Sequence, residues 1–367
     1  MRVFVDDGNR HLKASGYGAL SRAILLSLKR HTNLELQVKS RKARWDEGIS
    51  NKDELMGVPE SDSPLQCDVA LRVGTPEGSN NLGIPTVVYT QNALGDLKPE
   101  WIESLRSADS IIVPGAFDEK IFKRYFNNVY ICHQYVDPNV FKPYLKYRNE
   151  GKDDFTFLFV GSYSYRKGVD LLFPAFKGAF SAGEKVHLRL HCFSGLEKDG
   201  VSHLLSESRQ LPSNIEVSAF SGTTSPPWMC RMYNRADCVV SLSRGEGWCM
   251  PLHEGLLCGK PVVAPASTAM AESLPRTGVY RVQATETEVA GIQSEFGYNM
   301  KNHYGFAGNT FWEPDVHDAA RALRGVFDDY SKKSKPCHKG RDYIVKKYTL
   351  SSMADKIYDV LQRVLNN

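Results

Sequence analysis

The sequence predicts an α/β protein built from two doubly wound parallel sheets, and three observations carry that expectation. Apolar, β-branched runs alternate with amphipathic stretches along most of the chain, the order that sets helices between parallel strands. A length of 367 residues accommodates two domains at roughly 150 residues each. The alternation is interrupted once, by the proline-bearing and charged segment "NNVYICHQYVDPNVFKPYLKYRNEGKDD", which puts a domain boundary near residues 143 to 153 and divides the chain into 1–148 and 149–349.

The first series opens with "RVFVDD" as a strand and "GALSRAILLSLKR" as a helix, followed by the strands "LELQVKS", "DVALRVG", "PTVVYTQ" and "SIIVPG" and the helix "FDEKIFKRYF". Short continuous apolar runs of this kind suit parallel strands covered on both faces. The second series reads "FTFLFVGS", "VHLRLHCFSG", "IEVSAFSG", "DCVVSLS" and "PVVAP" as strands. Two helical patterns close the chain, "VHDAARALRGVFDDY" and "SSMADKIYDVLQRVLN".

Composition narrows the function classes. Hydrophobic content of 42% and charged content of 24% are ordinary for a globular protein. No apolar run approaches the roughly 18 residues of a membrane span, and "MRVFVDDGNR" is too polar for a signal peptide. The eight cysteines include no CxxC pair and lie in strand-like contexts such as "VYICHQ" and "ADCVVS", which predicts reduced, buried thiols in the cytoplasm. A net charge of +4 is too mild to imply a nucleic acid partner. The basic clusters "KSRKARWDEG" and "KKSKPCHKGR" read as solvated faces, with docking of an anionic acceptor or peripheral membrane association as the alternative.

The most informative stretch is "SRGEGWCMPLHEGLLCGKPVVAP", Ser243 to Pro265, lying between two β-branched runs as one βαβ unit. Its middle reads as a short helix with Pro251 at the first helical position and Gly259 just past the end. Glu246 then stands in the loop above a strand's carboxyl end and Glu254 about one turn into the helix. Both face the crevice where open α/β sheets take ligands. The N–H groups of Trp248, Cys249 and Met250 point the same way, and a helix N-terminus attracts phosphate. Two carboxylates around a phosphate site suit a ligand with hydroxyls at both ends and phosphate between.

Two other patterns invite a chemical reading. "VHLRLHC" puts His187, Arg189 and His191 on one strand face, but no third ligand lies nearby in sequence, so packing is the expectation and metal is not. "KASGYGALSRA" places Gly16, Tyr17 and Gly18 before a helix without the G-x-G-x-x-G spacing of a dinucleotide fold. Either they line a site or they give a helix start its freedom.

The segment "EGWCMPLHEGLLCGKPVV" resembles the signature E-G-F-G-x-P-x-x-E-x-x-x-x-G-x-P-V of the retaining GT-B glycosyltransferases of family 4. In the same order, "HQYVDPNVFKP", "FVGSYSYRKGVDLL" and "WMCRMYNRADCVVSLS" resemble that family's linker, its glycine-rich loop with K-G-x-x-x-L helix, and its lead-in to the glutamates. The likeness is strong from about residue 130 to 330 and weak before.

The resemblance implies a GT-B fold, two Rossmann-like domains facing a central cleft, with a C-terminal helix at about 350–367 packing back on the first. It implies that Glu246 hydrogen-bonds the donor sugar, Glu254 holds the ribose, and Arg166 and Lys167 neutralise the donor diphosphate as its charge develops. Gly161, Ser162, Gly247, Trp248, Cys249 and Met250 would complete the donor site, Trp248 by packing that shapes the loop. Where the family commonly has Gly-Arg at the phosphate loop, this chain has Gly161-Ser162, so Arg166 compensates. Where many members have a histidine near the sugar, it has Gln91 and Asn92, amides that hydrogen-bond but cannot act as a base. Gly16, Tyr17, Gly18, Gln91 and Asn92 would line the acceptor side.

The implied reaction moves a hexose from a nucleotide diphosphate sugar, GDP-mannose or a UDP-hexose, to a hydroxyl of a glycan, glycoprotein or lipid-linked acceptor. It requires no metal or other cofactor. A GT-B epimerase, or a sugar-binding protein on a decayed transferase fold, are the alternatives.

Overall fold

The computed structural model describes residues 1–39, 44–49, 51–77, 82–144, 154–181, 183–192, 204, 206–212, 215–221, 224–289, 308–330 and 337–366. The chain divides into two compact units. Unit 1 comprises Met1–Asn92, Asp96–Asp137 and Lys346–Asn367, and unit 2 comprises Ala93–Gly95 and Pro138–Val345.

Unit 1 is a parallel sheet of β1 (Arg2–Asp6), β2 (Glu35–Lys39), β3 (Glu60–Ser61), β4 (Val69–Val73), β5 (Thr86–Tyr89), β6 (Ser110–Val113) and β7 (Val129–Ile131), in the order β3-β2-β1-β4-β5-β6-β7. Every residue of β5 and β6 is buried, as expected of central parallel strands covered on both faces. The helix α1 (Gly16–His31) starts where the Ser15 hydroxyl accepts the Gly18 N–H at 3.1 Å, and Lys29, Arg30 and His31 complement its dipole in the last turn. Shorter helices follow as α2 (Lys52–Met56), α3 (Pro99–Leu105) and α4 (Ala116–Phe122). Val129–Ile131 lies in the segment that interrupts the sequence rhythm, yet its apolar run extends the sheet as a parallel edge strand beside β6.

Unit 2 carries a second parallel sheet, of β8 (Phe155–Gly161), β9 (Val186–Cys192), β10 (Ile215–Ser221), β11 (Cys238–Val240), β12 (Val262–Pro265) and β13 (Val279–Val282), in the order β10-β9-β8-β11-β12-β13. Its helices are α5 (Val169–Ala179), α6 (Pro226–Arg235), α7 (Met250–Leu257), α8 (Thr268–Ser273), α9 (Val316–Tyr330) and α10 (His338–Lys347), the last two residues of α10 falling in unit 1. Phe155, Phe157, Phe176 and Phe180 meet at ring distances of 4.9 to 5.7 Å in the core under β8 and α5. An antiparallel hairpin, β14 (Ala284–Glu288) with β15 (Thr310–Pro314), stands apart from the main sheet. Nothing in the sequence reading anticipated it, because "ATETE" has neither an apolar run nor an apolar alternation.

The last helix, α11 (Leu350–Asn366), belongs to unit 1 and packs on α1, burying Met353, Ile357, Val360 and Leu361 in one core with Leu20, Ile24 and Leu28. Among the described residues no helix is long and apolar enough to cross a membrane.

Candidate functional site

In unit 2 the strand order reverses between β8 and β11, the switch point at the carboxyl edge where open α/β sheets take ligands. After β8 the chain enters a 3-10 turn, Tyr165–Lys167, that ends on Gly168. Gly168 has φ +67°, and a Cβ there would lie 1.9 Å from the Leu242 carbonyl oxygen, so this turn requires glycine. After β11 the loop from Ser241 to Cys249 comes back against the turn. The Arg244 N–H donates to the Arg166 carbonyl at 2.7 Å, and the Ser243 hydroxyl donates to the same oxygen at 3.1 Å.

This backbone suture brings the predicted charges together. Lys167 Nζ lies 2.5 Å from Glu246 Oε1, and Arg166 Nη1 lies 3.4 Å from Glu246 Oε2 while donating to the Gly245 carbonyl at 2.6 Å. Burial alone would push the Glu246 carboxyl up, but the Lys167 ammonium and Arg166 guanidinium outweigh it and hold the group below the ordinary carboxylate range. Gly161 closes β8 beside Phe159 and Lys167, and the Ser162 hydroxyl pairs with that of Ser164 at 3.1 Å.

Gly247 leads into Trp248, which is 1% exposed and stacks on His253 at 4.9 Å with the rings 7° apart. Cys249 caps α7 from the left-handed region, φ 67° and ψ 62°, and makes no side-chain capping bond. A left-handed non-glycine residue beside a candidate site stores roughly 1–3 kcal/mol of strain. The helix begins at Met250, so Pro251 occupies its second position rather than its first; the second N–H also lacks a helical partner, and proline fits equally well.

Glu254 has a different environment. The Tyr233 hydroxyl of α6 donates to its Oε2 at 2.6 Å, and burial outweighs that bond and pushes the carboxyl up to about 7. Two carboxylates eight residues apart are thus driven in opposite directions, one held ionised by cations and one poised near neutrality.

Unit 1 gathers its own candidates at the carboxyl edge of its sheet. Gly16, Tyr17 and Gly18 form the first turn of α1, and a Cβ on Gly18 would lie 2.0 Å from the Lys13 carbonyl oxygen, so the close approach of backbone demands glycine there. Tyr17 hydrogen-bonds Gln91, with the Arg10 guanidinium 5.4 Å from its ring centre. Gln134 Nε2 donates to Gln91 Oε1 at 2.6 Å, and the Asn92 N–H donates to Asp118 Oδ1 at 2.8 Å. Arg10, Gln134 and Asp118 escaped the sequence reading; only Arg10 had a signal, its place in the polar turn directly after β1.

The histidines of β9 are packing residues. His187 bonds the Ser218 hydroxyl at 2.8 Å, and His191 lies against Trp228, its ring pushed down to about 4 by burial. Among the described residues no group of three or more histidine, cysteine, aspartate or glutamate side chains is arranged to hold a metal.

Residues 143–279 match the family model of the glycosyl transferases group 1. The matched segment contains both loops of the switch point and every unit 2 candidate from Gly161 to Glu254. No curated protein matches the sequence significantly. Solved structures similar to the whole chain include HepE from Anabaena in complex with UDP and glucose, at 16% identity and TM-score 0.64 over 99% of this chain and 100% of that one. A sucrose-phosphate synthase from Thermosynechococcus elongatus is 13% identical with TM-score 0.71, covering 100% of this chain and 99% of that one. A glycosyltransferase from Rickettsia africae is 12% identical with TM-score 0.69 at the same coverage. At these identities the likeness is one of fold. Residues 143–279 are thus similar to the group 1 domain, and the two parallel-sheet α/β units share the fold of these glycosyltransferase structures.

Proposed function

We propose that the protein is a retaining glycosyltransferase of the family 4 kind, moving a hexose from a nucleoside diphosphate sugar to an acceptor hydroxyl. The observation that carries the reading is Glu246 paired with Lys167 and Arg166 at the switch point of unit 2. The Glu246 carboxylate stands against the two cations that a donor diphosphate needs. On donor binding, Lys167 and Arg166 pass to the phosphate oxygens, and Glu246 is released to accept hydrogen bonds from the sugar hydroxyls. As the glycosidic bond breaks, negative charge grows on the departing phosphate, where two fixed cations and the N-terminus of α7 stabilise it. The acceptor hydroxyl gives its proton to that phosphate, so the reaction calls for no separate protein base.

Tyr233 fixes one oxygen of Glu254 and orients the carboxyl for the ribose hydroxyls. Because Lys167 and Arg166 supply the positive charge that a divalent ion would supply elsewhere, we read the reaction as independent of metal. Eight free, buried thiols suit a reducing compartment such as the cytoplasm. HepE's complex with UDP and glucose makes a UDP-hexose the first donor to try, ahead of GDP-mannose.

A thermal-shift series with UDP, GDP, ADP and dTDP in the presence of EDTA tests the reading, since a ligand that binds only the folded state must raise Tm. One nucleotide family is expected to stabilise the chain, and Glu246→Ala to lose about 10²- to 10³-fold in turnover while staying folded. A flat response to every nucleotide, or a requirement for added manganese, would count against it.

A further inference from the structure

Arg244 is 1% exposed, and its guanidinium is engaged on every edge. Nη1 donates to the Tyr165 carbonyl at 2.5 Å and to Asp170 Oδ1 at 2.8 Å. Nη2 donates to Asp170 Oδ2 at 2.6 Å and Glu313 Oε1 at 2.8 Å, and Nε donates to Glu313 Oε2 at 2.5 Å. The planar group also stacks on the Tyr165 ring, 3.6 Å from its centre. Its backbone is tied down as well, the N–H to the Arg166 carbonyl at 2.7 Å and the carbonyl to the Trp312 N–H at 2.9 Å. One side chain therefore joins four pieces of unit 2: the turn Tyr165–Lys167, the first turn of α5 at Asp170, strand β15 at Glu313, and the loop that reaches Glu246 two residues later.

We infer that Arg244 is the positioning residue of the phosphate-binding turn. It grips Tyr165 by carbonyl and ring and Arg166 by carbonyl, so the turn arrives with Arg166 and Lys167 already aimed at Glu246. It also occupies both oxygens of Asp170 and both of Glu313, which ties the turn to α5 and β15. Only guanidinium meets this demand: two bidentate forks and a stacked face need five donors in a plane, whereas an ammonium has three donors and no plane. Arg244 need not touch the ligand, and its role rests on the reading that this site binds a nucleoside diphosphate.

The test is calorimetric titration of the full chain and of Arg244→Lys with UDP, GDP and ADP, and with UMP, GMP and AMP. Arg166 and Lys167 supply the preference for a second phosphate, whereas Glu254 acts on the ribose common to all six. Arg244→Lys is therefore expected to lose about tenfold or more in affinity for the diphosphate that wild type binds best, and less than about threefold for its monophosphate. A purely structural role would lower Tm and weaken both ligands alike, and that result, or an unchanged diphosphate affinity, overturns the inference. If Arg244→Lys fails to fold, Glu313→Gln at the 33%-exposed rim of the cluster gives the same comparison. About a threefold selective loss supports the role, and none overturns it. Failure of the wild-type chain to bind any of the six overturns the proposed function itself, and this role with it.

Discussion

Glu246 and Glu254 show how far a residue's chemistry is written by its surroundings. Glu246 stays ionised against burial because Lys167 and Arg166 stand beside it, so its contribution to stability is present above its ordinary value and fades as pH falls through the lower folded one. Glu254 behaves in the opposite sense. It keeps its proton up to about pH 7 when folded and releases it near 4.5 when unfolded. Between those values the folded state binds the extra proton, so stability falls as pH rises. Glu254→Gln removes this slope while leaving an oxygen to accept from Tyr233. It should be more stable than wild type at pH 8 by about 3 kcal/mol, with the gap closing toward pH 4.5. Thermal melts at the two pH values read it, and equal Tm at pH 8 would contradict the environment described for Glu254. The placement of both glutamates, one in the loop after a strand and one about a turn into a helix, was legible in the sequence because helix start, proline and glycine signals are local. Tyr233 and Arg244 were not, since their partners lie up to 79 positions away in the chain and no spacing rule reaches that far.

At the scale of elements, the turn Tyr165–Lys167 depends on the glycine that ends it. Gly168→Ala is expected to cost several kcal/mol, because a side chain at φ +67° is strained and the added methyl would meet the Leu242 carbonyl oxygen at 1.9 Å. The expected readout is a Tm lowered by several degrees together with weakened nucleotide binding. A melt matching wild type would show that the two loops can separate without penalty. Most strands of both sheets were readable from their apolar runs, but β3, β7 and β13, only two to four residues long, were not, and the amphipathic patterns marked α1, α9 and α11. The hairpin β14–β15 was unreadable for a physical reason: its strands are polar and partly exposed, and each is defined by the other, across more than twenty intervening residues, rather than by its own composition.

The whole molecule has an architecture its sequence foretold in kind, two doubly wound parallel sheets, and neither unit is one continuous stretch of chain. Unit 1 takes Lys346–Asn367 from the far end of the chain, and unit 2 takes Ala93–Gly95 from the first half, where Gly95 donates its N–H to the Thr310 carbonyl at 2.8 Å. Such exchanges are set by packing and leave little local trace in sequence. Removing Leu350–Asn366 should strip unit 1 of the cover over Leu20, Ile24 and Leu28, a loss of about 5–10 kcal/mol from four buried side chains as an upper figure. The truncated chain is expected to aggregate or to lose the melting transition of unit 1. A soluble product melting like the full chain would mean that α11 is dispensable.

The discontinuity of unit 1 also orders events in time. During translation Met1–Asp137 leaves the ribosome first, but α11 follows only after all of Pro138–Val345 has been made. Unit 2 can close as soon as it emerges, while the apolar face of α1 waits uncovered for more than two hundred residues of synthesis. The half of the chain that is born first is therefore the last to be completed, and it is the half exposed to chaperones and proteases for longest.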